Sequence, residues 1–158
     1  WFLGKNYRTF APLGPLVQVC NSETAERLDN LRLELQVYNQ NGDPHPHKLQ
    51  DGNTSMMIFP VYRLLDELRK HFDLLPGDVV ATGTPRGVAL SRPSPFLNRM
   101  ADILGISQAK RTGLFIQREI KKNPAYLAPG DIMVSRITSP DMVVDLWEQK
   151  NQVETAGQ

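Results

Sequence analysis

The chain has 158 residues, of which 41% are apolar, and this size and composition fit one domain with a hydrophobic core. The formal net charge of +1 gives no overall case for a nucleic-acid partner, and no apolar run approaches the roughly 20 residues of a membrane-spanning helix, so we expect neither partner. The single cysteine, Cys20, cannot form an intrachain disulfide. We therefore expect a cytoplasmic protein in which Cys20 is a small buried side chain.

Strand patterns dominate the first third of the chain, and twelve prolines and eleven glycines favour turns and strands over a helical bundle. Residues 15–20 predict a strand, and Ser22 is a candidate cap for the helical turn after it. Apolar and polar residues alternate over residues 31–37, which predicts a half-buried strand. Asn41-Gly42 is typical of a hairpin turn, after which the return strand includes residues 47–50.

A helix and two Pro-Gly-Asp turns follow. Thr54 or Ser55 can cap a helix whose apolar residues are spaced by three and four, namely Ile58, Val61, Leu65, Leu68 and Phe72. Pro76-Gly77-Asp78 predicts the start of a central strand. Pro129-Gly130-Asp131 predicts the start of another, which runs to Ile137 and lies beside a neighbour at residues 143–147.

The segment between these turns, about residues 91–126, differs in kind. It predicts two short helices, 95–104 and 108–122, separated at Gly105. Its charged side chains are mostly basic: Arg92, Arg99, Lys110, Arg111, Arg118, Lys121 and Lys122 against Asp102 and Glu119. A solvated helix face, a cover over the entrance for an acidic ligand and a subunit contact all fit this pattern.

Two short stretches have the residue types of a ligand site. Residues 82–88 combine Gly, Thr, Pro and Arg in a loop that can bring backbone N–H groups, two hydroxyls and a guanidinium to one anion or carbonyl, although such turns also serve as plain connections. His45 and His47 alternate beside Asp43 and could bind a borderline metal. The prolines around them favour an exposed loop, and a third ligand is not evident.

Four segments together resemble the fumarylacetoacetate hydrolase family, in that family's order. They are residues 4–15 (GKNYRTFAPLGP), 50–59 (QDGNTSMMIF), 77–88 (GDVVATGTPRGV) and 127–131 (LAPGD). The resemblance implies a mainly β, α+β fold with a mixed, rolled, sandwich-like sheet and a few helices. It also implies a homodimer that requires Mg²⁺, or Mn²⁺ or Ca²⁺.

The reaction that the resemblance implies is hydrolysis of a C–C bond in a 1,3-dicarbonyl or β-keto-acid substrate through an enolate-like intermediate. An isomerase or decarboxylase on the same fold is an alternative. A non-catalytic relative that serves as an interaction module, with the basic segment as its surface, is another.

By position in the resembling segments, Lys5 matches the catalytic lysine, whose ammonium stabilises the developing oxyanion. Gly83, Thr84 and Gln50 match substrate-binding positions, and Thr9 lies near the metal-binding network. The family's metal-binding carboxylates are expected upstream of Trp1. We therefore interpret residues 1–150 as part of a catalytic domain that lacks its N-terminal part, with a helical insertion at about 91–126 and a polar tail at 151–158. Alone, this part is expected neither to hold the metal tightly nor to turn over.

Overall fold

The computed structural model describes residues 7–89, 95–122 and 126–155. The α-helices in these ranges are α1 (Ser22–Ala25), α2 (Val61–Leu68), α3 (Pro95–Ile103) and α4 (Gln108–Lys122). The strands in these ranges are β1 (Arg32–Tyr38), β2 (Pro44–Asn53), β3 (Ile132–Thr138) and β4 (Asp145–Gln152). Short 3₁₀ turns occupy Leu28–Asn30 and Thr54–Met56.

The strands form one open antiparallel sheet in the order β2-β1-β3-β4. Directly opposed residues of β1 and β3 share a face, and the pairs Leu33–Ile137, Leu35–Ser135 and Val37–Met133 make one face largely apolar. Val37, at 2% exposure, is the most deeply buried apolar side chain there. This sheet confirms the half-buried strand, the hairpin and the two C-terminal strands. The α+β class agrees, whereas the rolled, mixed sheet stays a prediction.

The other face of the sheet is crossed by ion pairs. Arg32 binds Asp51 of β2 through two bonds, Nε–Oδ1 at 3.0 Å and Nη2–Oδ2 at 2.9 Å. Arg136 binds Asp145 of β4, with Nη2–Oδ2 at 2.6 Å. In both pairs the guanidinium lowers the pKa of the carboxyl group, chiefly through the side-chain hydrogen bond. These pairs join neighbouring strands on the polar face, so the opposite, apolar face is the one suited to packing against other parts of a protein.

Two strand predictions are wrong. Residues 15–20 and 78–82 belong to no strand, and no other described segment pairs with them. A strand needs a second backbone to satisfy its N–H and C=O groups, and apolar sequence cannot provide one. Val17 and Val19 are accordingly 88% and 79% exposed. Cys20, predicted to be buried, is exposed for the same reason.

The helix starts also differ from prediction. Asn21, not Ser22, caps α1, because its Oδ1 accepts from the Thr24 N–H at 2.9 Å while the Thr24 hydroxyl accepts from the Asn21 N–H at 2.9 Å. Helix α2 begins at Val61 after Pro60, not near Thr54 or Ser55. Those two residues form a 3₁₀ turn capped by the Asn53 side chain.

The two helices of the basic segment are confirmed. They separate at Gly105, which adopts φ +62°, and Arg111 of α4 clamps the junction by binding Asp102 of α3 at 2.6 Å and the carbonyl of Ile106 at 2.6 Å. Among the described residues, no helix combines the length and apolar character needed to cross a bilayer.

Candidate functional site

The loop at residues 82–88 lies directly on edge strand β2. A Cβ atom placed on Gly52 would come within 2.5 Å of the Pro85 Cβ, and one on Gly87 within 2.6 Å of the Leu49 carbonyl oxygen. Gly87 also adopts φ +98°, a conformation that favours glycine. The Gln50 amide approaches the Pro85 carbonyl at 3.5 Å. Two glycines therefore allow the backbones of loop and strand to touch.

Beside this contact is a half-enclosed groove of about 530 Å³. Its walls are the end of β2, the 3₁₀ turn, the residues leading into α2, and the loop. The apolar lining residues are Leu33, Met56, Met57, Ile58, Phe59, Leu64 and Pro85, and the polar ones are Asp51, Asn53, Thr54, Thr82, Thr84 and Arg86, with Gly52 and Gly83 between them. The groove therefore has an apolar side and a polar side, as small-molecule sites commonly do.

Three of the six polar lining residues make hydrogen bonds that stabilise the fold. Asp51 binds Arg32. Asn53 Oδ1 accepts from the Ser55 N–H at 2.8 Å, and its Nδ2 donates to Asn30. Thr54 Oγ1 accepts from the Leu31 N–H at 2.8 Å. These three side chains hold the end of β2 and the turn in place.

The other three polar lining residues belong to the loop. Within the described ranges, the side chains of Thr82, Thr84 and Arg86 make no hydrogen bond or ion pair, and all three are exposed. They alternate along the loop, and all three line the groove. The loop therefore presents two hydroxyls and a guanidinium to the groove, and these groups can bind a carbonyl oxygen or an anion.

The predicted site residues fall in different places. Gly83 and Thr84 line the groove, and Gln50 contacts the back of the same loop through Pro85. Thr9 is exposed with φ +71°, and its hydroxyl donates to the neighbouring Arg8 carbonyl. Lys5 lies outside the described residues. The structure thus brings Gln50, Gly83 and Thr84 together.

A metal centre does not emerge from the part of the chain that is described. No group of three His, Cys, Asp or Glu side chains there fits a metal ion. His45 Nε2 lies 3.3 Å from Asp131 Oδ1, which makes a buried-carboxylate pair, and the His47 side chain is outside the described set. The described residues therefore do not fit a site for a hard divalent cation, which needs several oxygen ligands.

Sequence reasoning missed Gly52 and the apolar wall. A glycine inside a strand pattern marks the close approach of another backbone, so Gly52 carried a usable signal. Met57, Phe59 and Leu64 carried no such signal in the sequence, because their spacing is also that of an ordinary helix face.

Comparison with known proteins gives a consistent result. The family model for the fumarylacetoacetate (FAA) hydrolase C-terminal region matches residues 1–154. The chain is 34% identical over 105 residues to the fumarylacetoacetate hydrolase domain-containing protein 2 homolog of Dictyostelium discoideum, covering 66% of this chain and 34% of that protein. It is 36% identical over 104 residues to the mitochondrial oxaloacetate tautomerase fahd2 of Xenopus laevis, covering 66% and 30%.

A third relative, from Burkholderia lata, is provisionally named as a hydrolase. It is 41% identical over 97 residues, covering 60% of this chain and 31% of that protein. The chain thus spans about a third of the length of these curated relatives. No solved structure gives a significant match.

Proposed function

Because the chain belongs to the fumarylacetoacetate hydrolase family, we propose that it forms the substrate-binding wall of an enzyme acting on a 1,3-dicarbonyl or β-keto-acid compound. The observation that carries the proposal is the loop whose Thr82, Thr84 and Arg86 side chains are uncommitted beside a groove of about 530 Å³. The hydrolase and tautomerase names of the relatives support a reaction of one of these two types.

The chemistry common to both types is enolate formation. When a bond to the carbon between two carbonyl groups breaks, its electron pair moves onto a carbonyl oxygen. The Thr84 hydroxyl lies on the groove wall and can donate to that oxygen, with Gly83 leaving the backbone accessible beside it. The hydrogen bond from a positioned donor becomes stronger as the negative charge on the oxygen grows. It therefore lowers the barrier more than it tightens substrate binding.

For the reaction itself we propose C–C hydrolysis. Water adds to one carbonyl carbon, and the bond to the central carbon then breaks. The hydroxyl stays on the acyl fragment as a carboxylic acid, and a proton completes the enolate to a ketone. Lys5 is proposed to place its ammonium near the oxyanion. A divalent ion, Mg²⁺ or alternatively Mn²⁺ or Ca²⁺, is proposed to supply Lewis acidity from ligands outside the described residues.

A second candidate is keto–enol isomerisation, which the name of the Xenopus laevis relative favours. A proton leaves the central carbon and the oxygen gains one, and water is not consumed. The role of Thr84 is unchanged, since the same oxygen carries the charge.

One pair of measurements on the full-length protein, with Mg²⁺ present, tests both candidates. Proton NMR in D₂O follows the loss of the C3 protons of oxaloacetate above the rate without protein, and chromatography follows cleavage of 2,4-dioxopentanoate to pyruvate and acetate. Cleavage supports the hydrolase, and exchange without cleavage supports the isomerase. If neither the exchange rate nor the cleavage rate exceeds the rate without protein, the enzymatic proposal is wrong.

Thr84→Val should lower the active rate by about 10- to 1000-fold, as removal of one oxyanion donor does. Thr112→Val is the matched control, because the Thr112 hydroxyl is exposed and bonds to the Gln108 carbonyl within α4. Equal rates for the two variants would remove Thr84 from the mechanism.

Lys5→Ala should reduce kcat far more than it raises KM, because the charge that the ammonium meets is largest in the transition state. Lys5→Arg retains the charge and should recover part of kcat. An unchanged kcat for Lys5→Ala contradicts the proposed role.

A further inference from the structure

We propose that Arg86 binds a carboxylate of the substrate and so makes the site selective for acidic keto compounds over neutral diketones. The inference rests on the proposed function of the same groove, which it narrows to one substrate class.

The charge of the groove supports an anionic ligand. Asp51 and Arg86 are the ionisable side chains of its described lining. The Asp51 carboxylate lies on the opposite face of the sheet from Leu33 and is bound there by Arg32 through two hydrogen bonds of 2.9 and 3.0 Å. The guanidinium of Arg86 is therefore the uncompensated charge in the groove, and a partly enclosed charge attracts its counterpart more strongly than one in open water.

Arg86 is also available for binding. It has no hydrogen bond or ion pair with any residue that the structure describes, and its side chain is exposed at the groove. By contrast, Arg27, Arg32 and Arg136 each bind a carboxylate within 3 Å. An arginine offers a planar fork of donors that matches the two oxygens of a carboxylate.

The backbone on either side of Arg86 is held in place. Pro85 packs against Gly52, and Gly87 lies over the Leu49 carbonyl, so both neighbours of Arg86 touch β2. The guanidinium consequently extends from an anchored point, and less entropy is lost on binding than from a mobile loop.

Thr84 and Arg86 can act on the two ends of one small molecule. Thr84 and Arg86 both line the groove. They are two residues apart, which limits the separation of their Cα atoms to about 7 Å, and the long arginine side chain can shorten the distance between the hydroxyl and the guanidinium. A β-keto acid has a ketone oxygen and a carboxylate close together, which suits a hydroxyl at one position and a guanidinium at the other. A neutral diketone leaves the guanidinium without an anionic partner.

The test compares an acid with its ester on the full-length protein. Arg86→Gln should raise KM for 2,4-dioxopentanoate about 10- to 100-fold, and its effect on the methyl ester should be at least tenfold smaller. Arg86→Lys should recover part of the loss, because it keeps the charge without the fork. Arg69→Gln is the matched control, since Arg69 makes an exposed pair with Asp66 at the end of α2. Equal losses on acid and ester would overturn the proposal.

A binding measurement separates this inference from the proposed function. Isothermal titration with malonate, in buffer containing Mg²⁺, should give a Kd about tenfold or more weaker for Arg86→Gln than for the unaltered protein and for Arg69→Gln. A protein without turnover that shows this difference contradicts the enzymatic proposal and supports the role of Arg86. Malonate binding that is absent, or equal in all three proteins, overturns the role of Arg86.

Discussion

The two Pro-Gly-Asp turns share one local geometry and lead to different structures. In the first, the Asp78 N–H donates to the Leu75 carbonyl at 3.0 Å, and the Leu75 N–H donates to Asp78 Oδ2 at 2.8 Å. In the second, the same bonds join Asp131 and Ala128 at 3.0 and 2.9 Å. The glycines adopt φ +101° and +89°. Short-range interactions therefore form the same turn twice.

The two turns differ in their contacts with distant residues. The second turn is bound by Gln40, whose amide donates to the Pro129 carbonyl at 2.8 Å, and by the end of β4, where the Gly130 N–H donates to the Val153 carbonyl at 2.7 Å. Asp131 is 3% exposed and β3 follows it. Asp78 is exposed, and the residues after it lead into the groove loop instead. The second turn, which distant residues stabilise, is followed by a strand of the sheet. The first turn is followed by the groove loop, whose side chains at 82, 84 and 86 are exposed.

The largest expected effect comes from the contact between the groove loop and β2. Gly87→Ala should lower kcat/KM by about 100-fold, because its Cβ would collide with the Leu49 carbonyl and displace Thr84 and Arg86 by a fraction of an ångström or more. Gly77→Ala is the matched control, since Gly77 has a similar positive φ but nothing within 4 Å of the added Cβ. Activity assays and urea unfolding of both variants check this. Similar losses of activity would show that backbone strain, not the collision, is responsible.

A smaller effect is expected from the two aspartates. Asp131→Ala should lower the free energy of unfolding by about 1–3 kcal/mol, because it leaves the part-buried Ala128 N–H without its acceptor. Asp78→Ala should cost within about 0.5 kcal/mol, because water can reach the exposed Leu75 N–H. Urea unfolding of the full-length protein at pH 7 measures both. An equal cost would mean that the distant contacts of the second turn do not matter.

The smallest effect concerns an ion pair on the polar face of the sheet. The Arg136 hydrogen bond lowers the pKa of Asp145, so the carboxylate stabilises the fold above its ordinary pKa of about 4. That contribution is lost as pH falls through the lowered, folded-state pKa. Asp145→Asn should therefore be less stable than the unaltered protein at pH 7, and the gap should close below about pH 4. Arg136→Gln should show the same convergence in pH-dependent unfolding, and a gap that persists in acid would contradict the assignment.

Residues in the sheet were predictable because local pattern and tertiary contact agree there. The alternation around Leu35, the Asn41-Gly42 turn and the apolar run after Asp131 each indicate a structure that neighbouring strands then stabilise. The same reasoning was wrong for residues 15–20 and 78–82, since the pattern indicates an apolar strand and says nothing of whether a partner lies alongside.

The candidate site was predictable in part. The residue types of the loop indicated a place for a carbonyl or an anion, and the structure brings Gly83 and Thr84 into one groove with Gln50 behind them. The lack of a described carboxylate partner for Arg86 could not be read from the sequence, because the nearby Asp51 is bound by Arg32 of the adjacent strand, on the opposite face of the sheet from Leu33. A long-range pair of this kind leaves no trace in local spacing.

The glycine contacts that anchor the groove loop bear on how such a site can evolve. Its position depends on Gly52, Pro85 and Gly87, whereas Thr82, Thr84 and Arg86 contribute no bond to the fold that the structure describes. Selection can therefore exchange the three exposed side chains at little cost in stability, while the anchoring residues stay the same. Single substitutions can therefore change the chemistry of this groove wall without rebuilding its scaffold.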